Sequence, residues 1–377
     1  MVFTGRATYD TGVFAGAAED VSAIISMISP HETPVLDRLS QAPKEATNVL
    51  HEWLEDELNP NTIVSSDTAG SAVTTATVAD LSGGAVTGFL QVGAILTSNA
   101  TGEYLQISAI TGNILTLLRG FGGTTAATIT AGDNLFIISD AAIEGADVTG
   151  DISRPRGRKT NFTQIFKKDL IISGTVEATT QLGGVTNEMD YQRTQRLRES
   201  LRDLEKATIR GRTSGNSIGS PSAYRTMDGI LARLTTNVTT LGSVGALDTA
   251  ALNTIIEGAW DQGGTDLDLI VADSQFKKQI DTFNSSRIDV ANRDGRVFNK
   301  TTVFEGTFGE HEVILGRWMP RNSLMVISTQ RCNVTPLQGR SYRFTPVSRT
   351  GDAEKGMILG EYTVEVHNEE GMAQAYV

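Results

Sequence analysis

A reactive site in this chain would have to be built from four histidines, one cysteine and a few runs of carboxylates. His31, His51, His311 and His367 stand apart, and none has a partner at metal-ligand spacing. The run His51-Glu52-Trp53-Leu54-Glu55 is not H-E-x-x-H, in which two imidazoles one helical turn apart hold zinc. Cys332 lacks the surroundings of a catalytic thiol and reads as a small core residue. Arg119 to Gly123 (RGFGG) is glycine-rich, but no helix follows to turn its N-terminus toward a phosphate, so it reads as a hairpin turn. Glu55-Asp56-Glu57 is a carboxylate run of the kind common on solvated faces and defines no glycosidase pair. No catalytic, cofactor-binding or metal-binding residue is expected, and the chain does not read as an enzyme.

One strongly basic stretch remains. Asp151 to Thr160 (DISRPRGRKT) carries Arg154, Arg156, Arg158 and Lys159. Such a loop can meet acidic surface on a neighbouring subunit, stay solvated, or touch phosphates. No aromatic residue interleaves the arginines, which weakens the nucleic-acid reading. The whole chain has a formal net charge of -12 and a pI of about 4.9. It is therefore not a general nucleic-acid binder.

The elements that would position these residues are organised around Thr186 to Arg212, a stretch with no Pro and no Gly before Gly211. Asn187 reads as its N-cap, with Glu188 and Asp190 in the first turn, where negative charge suits the helix dipole. Leu197, Leu201, Leu204 and Thr208 form a narrow apolar stripe. Arg196/Glu199, Glu199/Arg202, Arg202/Glu205 and Asp203/Lys206 are opposite charges three apart on the other faces. The pattern predicts a rod laid across a sheet, with charged surface left for neighbours.

At 377 residues the chain has room for two or three domains. Residues 1 to about 20 read as an extended arm, Ala18 to Ile28 as a short helix, and Val35 to Leu39 as a helical turn. Thr47 to Leu58 is amphipathic or extended, with Trp53 as its anchor. From Asn61 to about Ile138 the chain is rich in Thr, Ala, Gly, Val and Ile. Alternating runs at Ala94–Thr97, Tyr104–Ile110 and Ile114–Leu118, separated by glycines, predict a small all-β module inserted into a parent element. Asn161 to Ala178 reads as strand, Asp248 to Trp260 and Ser274 to Phe283 as helices, and Asp268 to Ala272 as a buried strand. Strands follow at Val303–Phe308, Glu312–Leu315 and Leu324–Ser328, and Gly356 to Val377 reads as two strands joined at Asn368 to Gly371. One cysteine excludes an intrachain disulfide, and no apolar run approaches the ~18 residues of a membrane span.

Read end to end, the chain resembles the major head proteins of tailed bacteriophages. More narrowly it is similar to the SU-10-type family, with its Hong Kong ninety-seven-type (HK-97) capsid fold. The resemblance rests on dispersed pieces in a fixed order. These are Ile28-Ser29-Pro30 with Glu32-Thr33-Pro34, then His51-Glu52-Trp53 and Asp56, Asn161, Gln164-Ile165-Phe166 and Ser173-Gly174-Thr175. They continue with Leu204-Glu205, Met227-Asp228-Gly229-Ile230, Trp260 with Gly263-Gly264, and Phe308-Gly309 before Val313-Ile314. Arg317 to Pro320, Gly351-Asp352 with Lys355-Gly356, Glu361 to Glu365, and Asn368-Glu369 complete the series. It covers most of the chain except the inserted module.

The resemblance implies an α+β fold of named parts: an N-terminal arm over 1–48, and an extended loop over 49–178 that reaches over a neighbouring subunit and carries the module at about 61–140. It also implies a peripheral domain over 179–222 with a spine helix at 186–212, an axial domain over 223–340, and C-terminal strands over 341–377 returning to the peripheral domain. Pentamers and hexamers would close into an icosahedral head, assembled in the host cytoplasm and carried in the virion. Scaffolding, portal and decoration proteins are the implied partners. Packaged DNA is met only by non-specific proximity, and no membrane is involved. The expected subunit contacts are Arg154, Arg156, Arg158, Lys159, Trp53, Glu55, Asp56, Arg198 and Arg202. The competing reading is a tail-fibre or cell-surface binding protein that uses the Thr/Gly-rich module.

Overall fold

The computed structural model describes residues 32–41, 45–80, 86, 88–147, 151–179, 187–213, 219, 220, 222–283 and 303–377. The extended arm, the short helix at Ala18–Ile28 and the helix start at Thr186 lie outside the described residues. The chain divides into two compact units. One comprises residues up to Trp53 together with Thr160–Val377, and the other is Leu54–Lys159. Each has its own hydrophobic core.

In chain order, β1 (Ser40–Gln41) and β2 (Leu50–Glu55) come first. The smaller unit then contributes β3 (Thr62–Ser65), β4 (Thr75–Asp80), β5 (Ile95–Ser98), β6 (Tyr104–Thr111), β7 (Ile114–Leu118) and β8 (Asn134–Ser139). These six close into a barrel in the order β3-β4-β7-β6-β5-β8. The alternation read from the sequence is the physical basis: Leu105, Ile107, Leu115 and Leu117 point inward and are buried, while Tyr104, Ile114 and Leu118 face out. Closure leaves no unpaired sheet edge. RGFGG is a turn, with Gly120, Gly122 and Gly123 at positive φ of 61°, 67° and 86°, but not the expected hairpin: the strands on either side of it, β7 and β8, are not neighbours in the barrel.

β9 (Gly157–Phe162) pairs with β2, and the division between the two units falls within these strands. In the larger unit, β10 (Gln164–Ser173) leads into a short α1 (Gly174–Ala178) and the long α2 (Glu188–Arg210). Next come α3 (Ile230–Arg233), β11 (Asn237–Thr240), α4 (Thr249–Asp261), β12 (Leu269–Ala272) and α5 (Ser274–Thr282). β13 (Val303–Gly306), β14 (Gly309–Leu315), β15 (Ser323–Ile327), β16 (Cys332–Pro336), β17 (Arg343–Val347), β18 (Ala353–Val366) and β19 (Ala373–Tyr376) complete the chain.

Among the described residues, two sheets carry this unit. One runs β1-β16-β18-β10, with β17 also on β18, and the other runs β11-β19-β15-β12-β14-β13. β10 pairs with β18 along its whole length, from Gln164 opposite Tyr362 to Ser173 opposite Ala353. The two C-terminal strands are where the sequence places them, but they join different sheets: β18 lies beside β10, whereas β19 lies between β11 and β15. Pairing across so many residues has no local signature.

The long helix is capped as expected, with Asn187 accepting the Asp190 N–H at 3.3 Å. Its inward face differs from the leucine stripe. Leu197 and Leu201 are exposed, and the buried positions are Ser200, Leu204, Glu205, Thr208 and Ile209. The physical reason is that Glu205 finds two backbone donors inside, which turns the buried face away from Leu197 and Leu201. The Arg202/Glu205 pair is therefore absent from the surface. Asp203 meets Lys168 of β10 at 2.7 Å as well as Lys206 at 3.9 Å, and Arg196 and Glu199 pair at 2.5 Å, the last two pairs as their spacing predicts.

Candidate functional site

Much of the dispersed series converges on one polar hub in the larger unit. Asn161 donates from Nδ2 to the carbonyls of Asp228 (3.0 Å) and Val364 (2.8 Å), and its Oδ1 accepts the N–H of Asp228 at 3.0 Å. Gln164 accepts the Met227 N–H at 3.2 Å. Asp228 accepts the Thr213 N–H at 2.8 Å and pairs with Arg233 at 3.1 Å. Glu361 takes Thr163 Oγ1 at 2.7 Å, Arg340 at 2.7 Å and the Arg225 guanidinium. Glu369, beside the left-handed Asn368, accepts from the backbone and hydroxyls of Thr235 and Thr236. These groups are largely buried, and each bond leaves fewer unsatisfied polar atoms inside. They tie β10, the chain after α2, and β18 into one body. The arrangement is architectural and presents no nucleophile with an adjacent base.

His51, Trp53, Glu365 and His367 form a second knot. The Nε2 atoms of His51 and His367 face the two oxygens of Glu365, the latter at 3.2 Å. The Trp53 ring lies 6.1 Å from His51 and 5.8 Å from His367, with the Arg233 guanidinium 5.9 Å from its centroid. Burial pushes against ionisation of Glu365, but the bonds and charges of His367 and His51 outweigh it and hold the carboxyl at about 2. A depressed carboxyl stabilises the fold above its unfolded value, near 4.5, and that contribution is lost as pH falls through about 2. Glu365→Gln is expected to cost about 1–3 kcal/mol near pH 6 and to flatten the acid limb. Urea midpoints at pH 6, 4 and 3 measure this, and parallel curves for the two proteins would refute it.

The expected contact residues divide by exposure. Trp53 and Glu55 are buried within the chain, and Glu55 stands 3.9 Å from Lys159. Arg154 pairs with Glu57 at 2.9 Å and Arg156 approaches Asp56 at 3.7 Å. The basic loop and the acidic run thus face each other as a ladder of charges. The two runs lie far apart in the sequence, and their opposite signs are the signal that could pair them. Arg156 and Asp56 remain mostly exposed. Arg158 lies exposed on β9 and Arg198 on the outer side of α2, whereas Arg202 is half-buried.

No group of three His, Cys, Asp or Glu suited to a metal occurs among the described residues. His311 is buried, takes Leu267 O at 3.0 Å through Nδ1 and stacks on Phe304; burial lowers its pKa. Cys332 is buried, which pushes its thiol up to about 12, so it is inert. Gly215 to Gly219 spells G-x-S-x-G, but it follows α2 rather than a strand, and most of it lies outside the described residues. No helix of the described residues is long and apolar enough to cross a membrane.

Comparison with known proteins gives one consistent result. A family model described as SU10 major capsid protein matches residues 3–375, a span that runs through the β module. A curated "Major capsid protein" of Pseudomonas phage PaMx41 is 32% identical over 110 residues, which is 28% of this chain and 25% of that relative, so the match spans about a quarter of its length. Among solved structures, the capsid of a native GTA particle aligns over 99% of both chains with a TM-score of 0.56 and 10% identity. The capsid of Myoviridae phage XM1 aligns over 95% of this chain and 96% of that one, at a TM-score of 0.51 and 11% identity. Gordonia phage Cozz aligns over 100% and 98%, at 0.50 and 10%. The fold is the HK-97-type capsid fold expected from the resemblance.

Proposed function

Because the chain belongs to the SU10 major capsid protein family, we propose that its copies assemble as pentamers and hexamers into the icosahedral head of a tailed bacteriophage. The role is structural, and the observation that carries it is the family match across residues 3–375. In this reading residues 49–178 form the extended loop that reaches a neighbouring subunit, α2 is the spine of the peripheral domain, and residues 223–340 meet their copies around the axes. Closed shells of this kind rest on many large interfaces repeated by symmetry. Scaffolding, portal and decoration proteins are the proposed partners, the host cytoplasm is the place of assembly, and DNA is met without sequence recognition. The acidic net charge of -12 supports that last point by limiting adhesion to packaged DNA. A fibre or cell-surface role for the β module leaves the remainder of the fold without a purpose.

The contact role of the basic loop has a discriminating test, because its charges also pair inside the chain. Arg154→Glu with Arg156→Glu sets like charges against Glu57 and Asp56, and is expected to lower shell yield at least tenfold. Adding Asp56→Arg and Glu57→Arg restores the internal ladder with its signs exchanged. Exposed pairs are each worth about 0–1 kcal/mol, so both variants stay folded. If the loop meets a neighbour, the exchanged ladder still fails to form shells in sedimentation and negative-stain microscopy. Wild-type yield from the exchanged variant would sink the contact role and leave these pairs internal.

A further inference from the structure

The leucine stripe of α2 is covered along only half its length. Leu197, Leu201, Leu204 and Thr208 are spaced by four, three and four residues, so they share one side of the helix. In the C-terminal half that side is closed, with Leu204 4% and Thr208 0% exposed. The turn at residues 33–39 is joined to it there, since Val35 and Leu36 donate their N–H groups to Glu205 at 3.0 and 2.8 Å and Val35 shares a core with Leu204. In the N-terminal half Leu197 and Leu201 stand 38% and 36% exposed. Beside them lie Arg198, which is exposed, and Arg202, whose Nε is buried with no hydrogen-bond partner. Among the described residues neither arginine meets a carboxylate.

We propose that the open half of this stripe is the dock for residues 18–28 of the same chain, bound as a helix. That segment lies outside the described residues, and three observations select it. The first is its pattern. Val21, Ile24, Ile25 and Ile28 fall at i, i+3, i+4 and i+7, with Ser22 and Ser26 on the opposite side. Such a helix has one apolar face to bury, and the face left open on α2 is apolar. The second is charge. Glu19 and Asp20 open the segment and supply the carboxylates that Arg198 and Arg202 lack. The third is reach. The chain is fixed at Glu32, whose carbonyl accepts Trp318 Nε1–H at 3.1 Å, and again at Val35 on Glu205. The run from Ile28 to Val35 can span up to about 23 Å. Leu201 and Leu197 lie only about 6 and 12 Å along the axis from Glu205. A helix tethered at its C-terminal end beside Glu205 runs parallel to α2, which sets Glu19 and Asp20 beyond Leu197. Helical side chains lean toward the N-terminus of their helix, so Arg198 leans toward that end. The dock concerns the single chain and does not rest on the shell reading.

The test is disulfide trapping in the full chain, which is clean because the one native cysteine, Cys332, is buried. Leu197→Cys is combined in turn with Ser22→Cys, Ile24→Cys, Ile25→Cys and Ser26→Cys, and internal crosslinks are followed by non-reducing electrophoresis. Disulfide geometry is strict, so a docked helix should link at position 24 or 25 about tenfold faster than at 22 or 26. An equal mixture of the Leu197→Cys and Ile24→Cys single variants is expected to give no covalent dimer. Equal rates at all four positions would mean a tether without a dock, and dimers in the mixture would assign the open face to a neighbour's segment. Either result overturns the proposal, as does the absence of any crosslink. Should the double variants fold poorly, Leu201→Asp decides. Loss of the leucine contact should raise hydrogen exchange of residues 18–28 in the full chain about tenfold, and an unchanged rate would overturn the dock.

Discussion

Gly229→Ala is expected to destabilise the larger unit by about 3 kcal/mol or more, enough to lower its Tm by roughly 5–10 °C. The reason is space rather than dihedral freedom, since Gly229 has an ordinary φ of -88°. A Cβ there would stand 2.6 Å from Ala207 O, 2.6 Å from Gly211 N and 2.7 Å from Thr208 O. All three are backbone atoms at the end of α2 and cannot rotate aside. The approach is mutual, because a Cβ on Gly211 would meet Ala207 O at 2.5 Å and Met227 O at 2.7 Å. The two glycines are joined by the Gly229 N–H to Gly211 O bond at 3.0 Å, and α3 starts directly after Gly229. A methyl group at this junction must push the spine helix away from the chain that anchors it to the polar hub. Gly258→Ala is the control. It lies within α4 with nothing nearer to its added Cβ than 3.9 Å, so alanine there is expected to be neutral or to stabilise by up to about 1 kcal/mol. Calorimetry of the three proteins separates the cases, and a Gly229→Ala melt within a degree of wild type would refute the close-approach argument.

The same glycine shows what the sequence could and could not disclose. Met227-Asp228-Gly229-Ile230 stands out as a motif, but its meaning depends on Gly211, eighteen positions earlier. Local signals fared well where the physics is local. Asp248 caps α4 by accepting the Ala251 N–H at 2.7 Å, and the alternating runs at Tyr104–Ile110 and Ile114–Leu118 give β6 and β7. The leucine stripe of α2 misled because a buried polar residue, Glu205, carries no hydrophobic signature; what buries it is a pair of N–H groups on another part of the chain. Likewise Arg154 and Arg156 read as surface for a neighbour until β2 and β9 bring the acidic run to within 2.9 and 3.7 Å of them. The entry of β19 into the second sheet was unreadable for the same reason, since its partners lie at Asn237 and Val326.

Arg119→Met is expected to cost the β barrel about 3–5 kcal/mol at neutral pH, although methionine matches most of the arginine stem in volume. Arg119 and Glu103 form a two-bond pair, with Nε to Oε1 at 2.9 Å and Nη2 to Oε2 at 2.8 Å, and their side chains are 7% and 0% exposed. Glu103 also accepts the N–H of Gly120 (2.9 Å) and Ala127 (3.0 Å). Arg119 donates in turn to the carbonyls of Gly70 (3.0 Å), Val73 (2.7 Å) and Ala127. One ion pair thus pins the 119–127 loop to the chain leading into β4. Removing the cation strands a buried carboxylate and three carbonyls together. Burial works to raise the Glu103 pKa, but Arg119 and the two N–H donors outweigh it and hold it below the usual carboxylate range. In the wild type this contribution is present above the unfolded value, near 4.5, and is lost as pH falls through the lower folded one. In Arg119→Met the main counterweight to burial is gone, so protonating Glu103 relieves the variant and its deficit should shrink as pH drops toward 4. Hydrogen exchange of the β6 and β7 amides in the full chain, at pH 7 and pH 4.5, reads the barrel separately from the larger unit. A deficit that is small at pH 7, or that grows on acidification, would mean the loop is held by the barrel core rather than by this pair.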